Sequence, residues 1–214
     1  MPSAYTKRTF LEKGIPESKL IHVPYGVDSG VFKHIPKRDV IFRIIFVGQI
    51  SIRKGIYYLL RAVSELKLKN LELCLIGNIF NETKPFFKKY RGYFSYLGKI
   101  NFYQLYKYYS QGSVFVLPSI DDGFALVINQ AMACGLPVIS TFNTGGSEVV
   151  RDGIDGFIIP IRNIEALKEK ILYLYNNPDV CKKMGESAKE RVYRDSSWNQ
   201  YGEKITKAYL SFLK

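Results

Sequence analysis

Short, nearly continuous apolar runs recur along this chain, separated by stretches with helical spacing. Residues 40–47 (VIFRIIFV), 71–76 (LELCLI), 113–117 (SVFVL), 137–140 (PVIS) and 157–159 (FII) are rich in β-branched and aromatic side chains. They lack the alternation of a half-exposed strand and are too short for helices, so they read as buried parallel strands. Residues 94–97 are strand-like and close at Gly98. Between these runs, Ile56, Leu59, Leu60, Val63 and Leu66 recur at the spacing of a core-facing helix over residues 53–66. Further helices are expected over residues 82–93, 102–109, 124–134, 164–175, 180–193 and 198–212. Strands and helices alternating at this interval imply right-handed βαβ units. The expected fold class is α/β, a Rossmann-like parallel sheet with helices on both faces.

Before the first strong strand the grain differs. Residues 3–14 suggest a short helix, capped by Ser3 and ended by Gly14. A short strand over residues 20–23 is expected to break at Pro24-Tyr25-Gly26-Val27-Asp28, and a polar connector carrying Pro36 follows. This shift divides the chain into residues 1–36, an α/β unit over 37–196 and a closing helix over 197–214.

Ligands of such sheets bind at the carboxyl ends of the strands, near a switch point. The relevant loops are residues 48–54, 77–78, 98–100, 119–123 and 143–146. The first runs Gly48-Gln49-Ile50-Ser51-Ile52-Arg53-Lys54-Gly55. It has neither the dinucleotide glycine fingerprint nor the Walker order. It places two cations at the start of a helix, where they oppose the dipole, and an anion held between Arg53, Lys54 and the helix end would account for them. Asp121-Asp122-Gly123 opens the helix over residues 124–134, which is apolar almost all round and therefore buried. Its unpaired N–H groups offer a second anion contact. Gln130 lies eight residues beyond Asp122, roughly 12 Å and about 80° around a helix, so both can face one elongated ligand, with a sugar at one end and a ribose at the other. Glu148 is expected to cap backbone amides near Gly145-Gly146.

Composition narrows the function classes. The 214 residues are 47% apolar with 14% aromatics, enough for a core. No run of about 18 apolar residues is present, and the start lacks the apolar centre of a signal peptide. Cys74, Cys134 and Cys181 are odd in number and far apart, as expected of buried thiols in a reducing cytoplasm. The charge of +12 is spread along the chain, densest at Lys88, Lys89 and Arg91 beside Tyr90, Tyr93 and Phe94. It fits a solvated basic face or attraction to an anionic membrane surface. No zinc-finger or RNA-binding motif accompanies it, so no nucleic-acid partner is expected. Asp121-Asp122 is not a D-x-D pair and no His/Cys/acid cluster offers a metal site. The only histidines, His22 and His34, precede the α/β unit, which argues against a histidine acid, base or triad within it.

VGQISIRKG, Asp122 and Gln130 within DDGFALVINQAMACGLPVIST, TGGSEVVRDGIDGFIIP and SSWNQYGEKITKAYLSFL resemble the nucleotide-sugar half of the family-four retaining glycosyltransferases of GT-B fold. PYGVD resembles the segment leading into that half. The resemblance implies transfer of a sugar from a UDP-, GDP- or ADP-sugar with retention at the anomeric carbon and without metal or other cofactor. It assigns the diphosphate to Lys54 and Arg53, with Gly48 and Gln49 in the same loop and Gly77 in the next. The amides of Gly123, Phe124, Ala125 and Leu126 would cradle phosphate and sugar. Asp122 would meet sugar hydroxyls, Gln130 the ribose, and backbone near Lys99 and Ile100 the base. Where the family has two glutamates eight apart, this chain has Asp122 and Gln130; where an arginine commonly follows the first-strand glycine, it has Gln49. The resemblance further implies that residues 1–36 are the end of an acceptor domain otherwise missing from the chain, and that activity needs that domain. The competing readings are a non-catalytic membrane- or partner-binding module and a GT-B-fold sugar-nucleotide epimerase.

Overall fold

The computed structural model describes residues 1–211. Six parallel strands form one sheet: β1 (Phe42–Val47), β2 (Leu71–Ile76), β3 (Ser95–Tyr96), β4 (Val114–Leu117), β5 (Val138–Thr141) and β6 (Gly156–Ile159), in the order β3-β2-β1-β4-β5-β6. In β4, β5 and β6 every residue is buried. Burial on both faces explains why the apolar runs do not alternate. Arg43, which interrupts the first run, stays in its strand. The register sets it beside Glu72, and its guanidinium bonds Glu72 at 2.6 Å, Asp39 at 2.9 Å and the Gln111 carbonyl at 2.7 Å.

The helices are α1 (Ala4–Leu11), α2 (Ile56–Leu66), α3 (Lys84–Lys89), α4 (Leu105–Tyr109), α5 (Leu126–Ala133), α6 (Gly146–Val149), α7 (Ile164–Asn176), α8 (Pro178–Asp195) and α9 (Trp198–Ser211). Right-handed crossovers leave the centre of the sheet in opposite directions, through α2 toward β2 and through α5 toward β5. The two helices therefore lie on opposite faces. Helix α7 packs with α2, and α8 with α5. The strand order reverses between β1 and β4, and this is the switch point.

Several local expectations give way to the structure. Residues 20–23 are not a strand: Val23 N bonds Met1 O at 2.8 Å, but a single residue cannot extend the ladder. Leu20 and Val23 are nevertheless buried. The helix expected over residues 82–93 is a six-residue helix between two 3-10 turns. Gly92, which costs about 1 kcal/mol in a helix interior, falls in the second turn. The 102–109 helix also begins as a 3-10 turn, at Phe102–Gln104. The central helix begins at Leu126 rather than Phe124. The last helix is described to Ser211, and its expected end at Phe212 lies outside the described residues. The connector contributes Val27 and Phe32 to the core, with the Phe32 ring 5.0 Å from Phe102 and 6.1 Å from Tyr109.

Candidate functional site

The loops that leave β1 and β4 meet at the switch point. Gly55 ends the first loop with φ +73, and a Cβ there would lie 1.9 Å from the Pro118 carbonyl oxygen. Only glycine permits both the left-handed backbone and this approach. Ile120 N donates to Arg53 O at 2.8 Å, and Arg53 Nη1 to Asp121 O at 2.7 Å. The two loops are thereby stitched through backbone and side chain. Lys54 Nζ pairs with Asp122 Oδ2, their side chains only 12% and 13% exposed. Arg53, Lys54, Asp122 and Gly123, far apart in sequence, form one cluster.

At the head of α5, Asp122 Oδ1 accepts from Ala125 N at 3.4 Å. Among the described residues the N–H groups of Gly123, Phe124 and Leu126 have no acceptor. No side chain caps this helix. The positive end of the dipole and these free donors lie by the same loop as the Lys54 ammonium, an arrangement chemically suited to a polyanion. Phe124 is buried, its ring edge-on to Tyr25 at 5.3 Å. Two buried hydroxyls in these loops, Ser51 Oγ and Ser119 Oγ, have no hydrogen-bond partner among the described residues.

The other candidate residues sit beside this cluster. Gly77 has φ +138, and a Cβ on it would lie 1.8 Å from the Gly48 carbonyl oxygen. Gly77 N donates to Gly98 O at 2.9 Å. The loops after β1, β2 and β3 are therefore continuous, with Gln49 and Lys99 exposed and Ile100 half-buried. Among the described residues no hydrogen bond or ion pair joins Lys99 to the Lys54–Asp122 pair. Gln130 is 8% exposed, and its Oε1 accepts the Tyr109 hydroxyl at 3.2 Å. That bond satisfies one end of a buried amide and fixes its rotamer.

Contacts the sequence did not foresee complete the picture. Helix α1 lies against the Asp121–Gly123 loop. Thr6 Oγ1 donates to Gly123 O at 3.0 Å, Ser3 Oγ donates to the same oxygen, and Tyr5 OH donates to Asp121 Oδ1 at 2.6 Å. Burial, reinforced by that bond, pushes the Tyr5 hydroxyl up to about 12, so it remains a donor. Glu148 does cap a helix, but not its own: its Oε2 accepts from Ala4 N at 2.8 Å, at the head of α1. Its Oε1 lies 2.7 Å from His22 Nε2, and His34 Nδ1 is 2.9 Å from Cys134 O. Both histidines, outside the α/β unit in sequence, fold against it. The linear order hides these contacts. Ser3, already legible as a cap, was the one signal of these contacts.

A concavity of about 980 Å³ also opens at the other end of the sheet, lined by Phe42, Ser113 and Pro137 among others. It lies at the amino ends of the strands, away from the cluster.

The fold and this cluster define the Rossmann-like half of the GT-B glycosyltransferase architecture. The chain belongs to the family described as glycosyl transferases group 1, whose model matches residues 32–191. An uncharacterized glycosyltransferase of Methanocaldococcus jannaschii, MJ1178, is 32% identical over 166 residues, 77% of this chain and 47% of the relative. The capsular polysaccharide biosynthesis glycosyltransferase CapM of Staphylococcus aureus is 29% identical over 180 residues, 81% of this chain and 47% of the relative. The chain thus spans about half the length of these curated relatives. Among solved structures, HepE of Anabaena in complex with UDP-glucose superposes with a TM-score of 0.87 at 17% identity, covering 98% of this chain and 62% of that one. The C-terminal domain of the Francisella tularensis group 1 glycosyl transferase LpcC covers 79% of this chain and 98% of its own, with a TM-score of 0.71 at 20% identity. At these identities the superpositions speak for the fold alone.

Proposed function

We propose that this chain is the donor-holding half of a retaining glycosyltransferase, which transfers a sugar from a UDP-, GDP- or ADP-sugar to an acceptor bound by a separate N-terminal domain. The observation that carries the reading is the meeting of Lys54 with Asp122 and the free amides of Gly123, Phe124 and Leu126 at the switch point. In this reading the diphosphate takes the Lys54 ammonium from Asp122 and accepts from the Gly123, Phe124 and Leu126 N–H groups, with Arg53 alongside. The carboxylate so released turns to sugar hydroxyls. Preorganised donors aimed at the departing diphosphate stabilise its charge as the anomeric bond breaks, and such stabilisation commonly lowers the barrier more than any other single effect. Lys54, Arg53 and the amides meet that charge without a bound metal. Gly48, Gln49 and Gly77 line the approach, Lys99 and Ile100 flank the base, and Gln130 offers its amide nitrogen to the ribose.

Calorimetry with UDP, GDP, ADP and the corresponding glucose esters tests the reading. At least one nucleotide should bind, and failure of all would overturn it. Full turnover by these 214 residues alone would overturn the need for a separate acceptor domain. Lys88, Lys89, Arg91 and Tyr93 are all exposed, which favours peripheral attachment to the inner face of an anionic membrane as a second property of the same protein. Flotation with anionic vesicles, at low and high salt, checks it; no flotation at low salt rejects it.

A further inference from the structure

The carbonyl of Gly123 accepts two hydroxyls from one turn of α1, Ser3 Oγ and Thr6 Oγ1, while Tyr5 holds the neighbouring Asp121 carboxylate. No peptide bond in the described chain is cis. In a trans peptide the carbonyl and the next N–H point in opposite directions. Fixing Gly123 O toward α1 therefore fixes the Phe124 N–H away from it. Phe124 is further confined by Tyr25 at 5.3 Å and by Gly145, where a Cβ would lie 3.0 Å from its Cα. Gly123 itself admits α1 closely: a Cβ there would come within 3.1 Å of Thr6 Oγ1.

We propose that Ser3, Tyr5 and Thr6 are positioning residues, which orient the Asp121–Phe124 peptides so that the Phe124 N–H is presented to the donor diphosphate. The inference rests on the donor-holding reading given above. It assigns to the first turn of α1 a share in donor binding, although none of its side chains need touch the donor. Ser3 is fully buried and also caps its own helix, accepting from Thr6 N at 3.0 Å. One residue thus ties the start of α1 and the donor loop together. Tyr5, held protonated by burial and by Asp121, keeps its donor role across the range in which enzymes work.

The test uses the whole chain and three variants: Thr6→Val, which keeps the side-chain shape; Ser3→Gly combined with Thr6→Val, which retains most of the cap; and Thr6→Ser, which restores the hydroxyl. Calorimetry with UDP and with uridine should show UDP affinity falling about five-fold in Thr6→Val and about twenty-fold in the double variant, one ordinary hydrogen bond at a time. Uridine affinity should be unchanged and Thr6→Ser should match the wild type. Equal losses for UDP and uridine would overturn the proposal, since they would mean general loosening. Amide exchange in the unliganded chain decides independently of any ligand. Asp122 N and Ala125 N, bonded to Asn143 O and Asp122 Oδ1, should exchange at least five-fold faster in the double variant while β1 and β2 amides do not move. Unchanged exchange there overturns the positioning role. Absence of binding of UDP, GDP and ADP alike by the wild type, with exchange altered as stated, would overturn only the donor-holding reading.

Discussion

Lys54 has two claimants, and that makes its removal informative. In the unliganded chain it is paired with Asp122, both side chains nearly nine-tenths buried. Replacing Lys54 by Met keeps the stem and leaves the Asp122 carboxylate without its counter-charge. Breaking a buried pair from one side costs about 3–5 kcal/mol, and residual water access places this one near 3. Asp122→Asn strands the ammonium instead, though a lysine reaches solvent more easily, so about 2 kcal/mol is expected. Removing both charges together should cost little, because apolar or neutral replacements of a buried pair are often nearly neutral. The double-mutant cycle in urea should therefore return a coupling of at least about 2 kcal/mol. Nucleotide binding separates the claimants further. Lys54→Met should weaken UDP by ten-fold or more, the value of a charge-assisted bond. Asp122→Asn should strengthen UDP several-fold, because the lysine then has no internal partner to leave. Additive stability losses would refute the pairing. An Asp122→Asn variant that weakens UDP as much as Lys54→Met would refute the competition.

Other outcomes follow from the same geometry. Gly55→Ala should lower stability by more than the roughly 1 kcal/mol of a left-handed alanine, because its Cβ would also meet Pro118 O at 1.9 Å; a urea midpoint within error of wild type would contradict it. Asp155 is fully buried; burial alone would raise its carboxyl, but Arg151 at 2.7 and 2.8 Å and Ser187 at 2.8 Å hold it below the ordinary 3.8. A depressed folded value contributes stability above the ordinary one, lost as pH falls from about 3.8 through the lower value. Asp155→Asn should therefore be less stable at pH 7 and show a shallower acid limb, and an unchanged limb would count against the assignment. Burial pushes the Cys134 and Cys181 thiols up to about 12 and that of Cys74 to about 11. At pH 8 alkylation should then proceed only as fast as the chain opens, and rapid labelling of the folded protein would refute it.

Much of the fold was legible because buried parallel strands announce themselves by composition. Five of the six strands lie where β-branched runs predict them, and the glycines that close them mark the site loops. What failed did so for want of a partner or of apolar surface. Residues 20–23 have strand character, but only Met1 lies alongside. The 82–93 segment has helical spacing around Phe86 and Tyr90, but Gly92 and four cations give it little reason to continue. At the site, Arg53 and Lys54 stood out in the sequence as cations set against a helix dipole, and Asp122 as the acid that opens the next helix. Their mutual pairing was not, because it depends on the order in which β1 and β4 adjoin. Gln130 stood out as an amide in an apolar helix, whereas Tyr109, which holds it, reads as one more core aromatic. Contacts of the first 23 residues with the Asp121–Gly123 loop left no trace in the sequence beyond the Ser3 cap, since hydroxyls in a short polar helix carry no periodic signature.

Those contacts change what the donor loop is. Cations from the β1 loop hold it through Lys54–Asp122 and Arg53–Asp121, and hydroxyls from α1 hold it through Gly123 and Asp121. Glu148, in turn, takes Ala4 N and lies against His22, so α1 is anchored to α6 as well as to the loop. In the proposed reading an anion entering the site would displace the ionic grip but leave the hydroxyl grip in place, because neutral hydroxyls on the Gly123 carbonyl do not compete for phosphate. The loop can therefore exchange its internal counter-ion for a ligand without losing the backbone orientation that receives it. A loop held by cations alone would lose its order at the moment of binding; one held by hydroxyls alone would lack the charge to attract a diphosphate. On the proposed reading, the division of labour between two distant segments of sequence supplies both, and the position of α1 on the sheet is then expected to influence donor affinity.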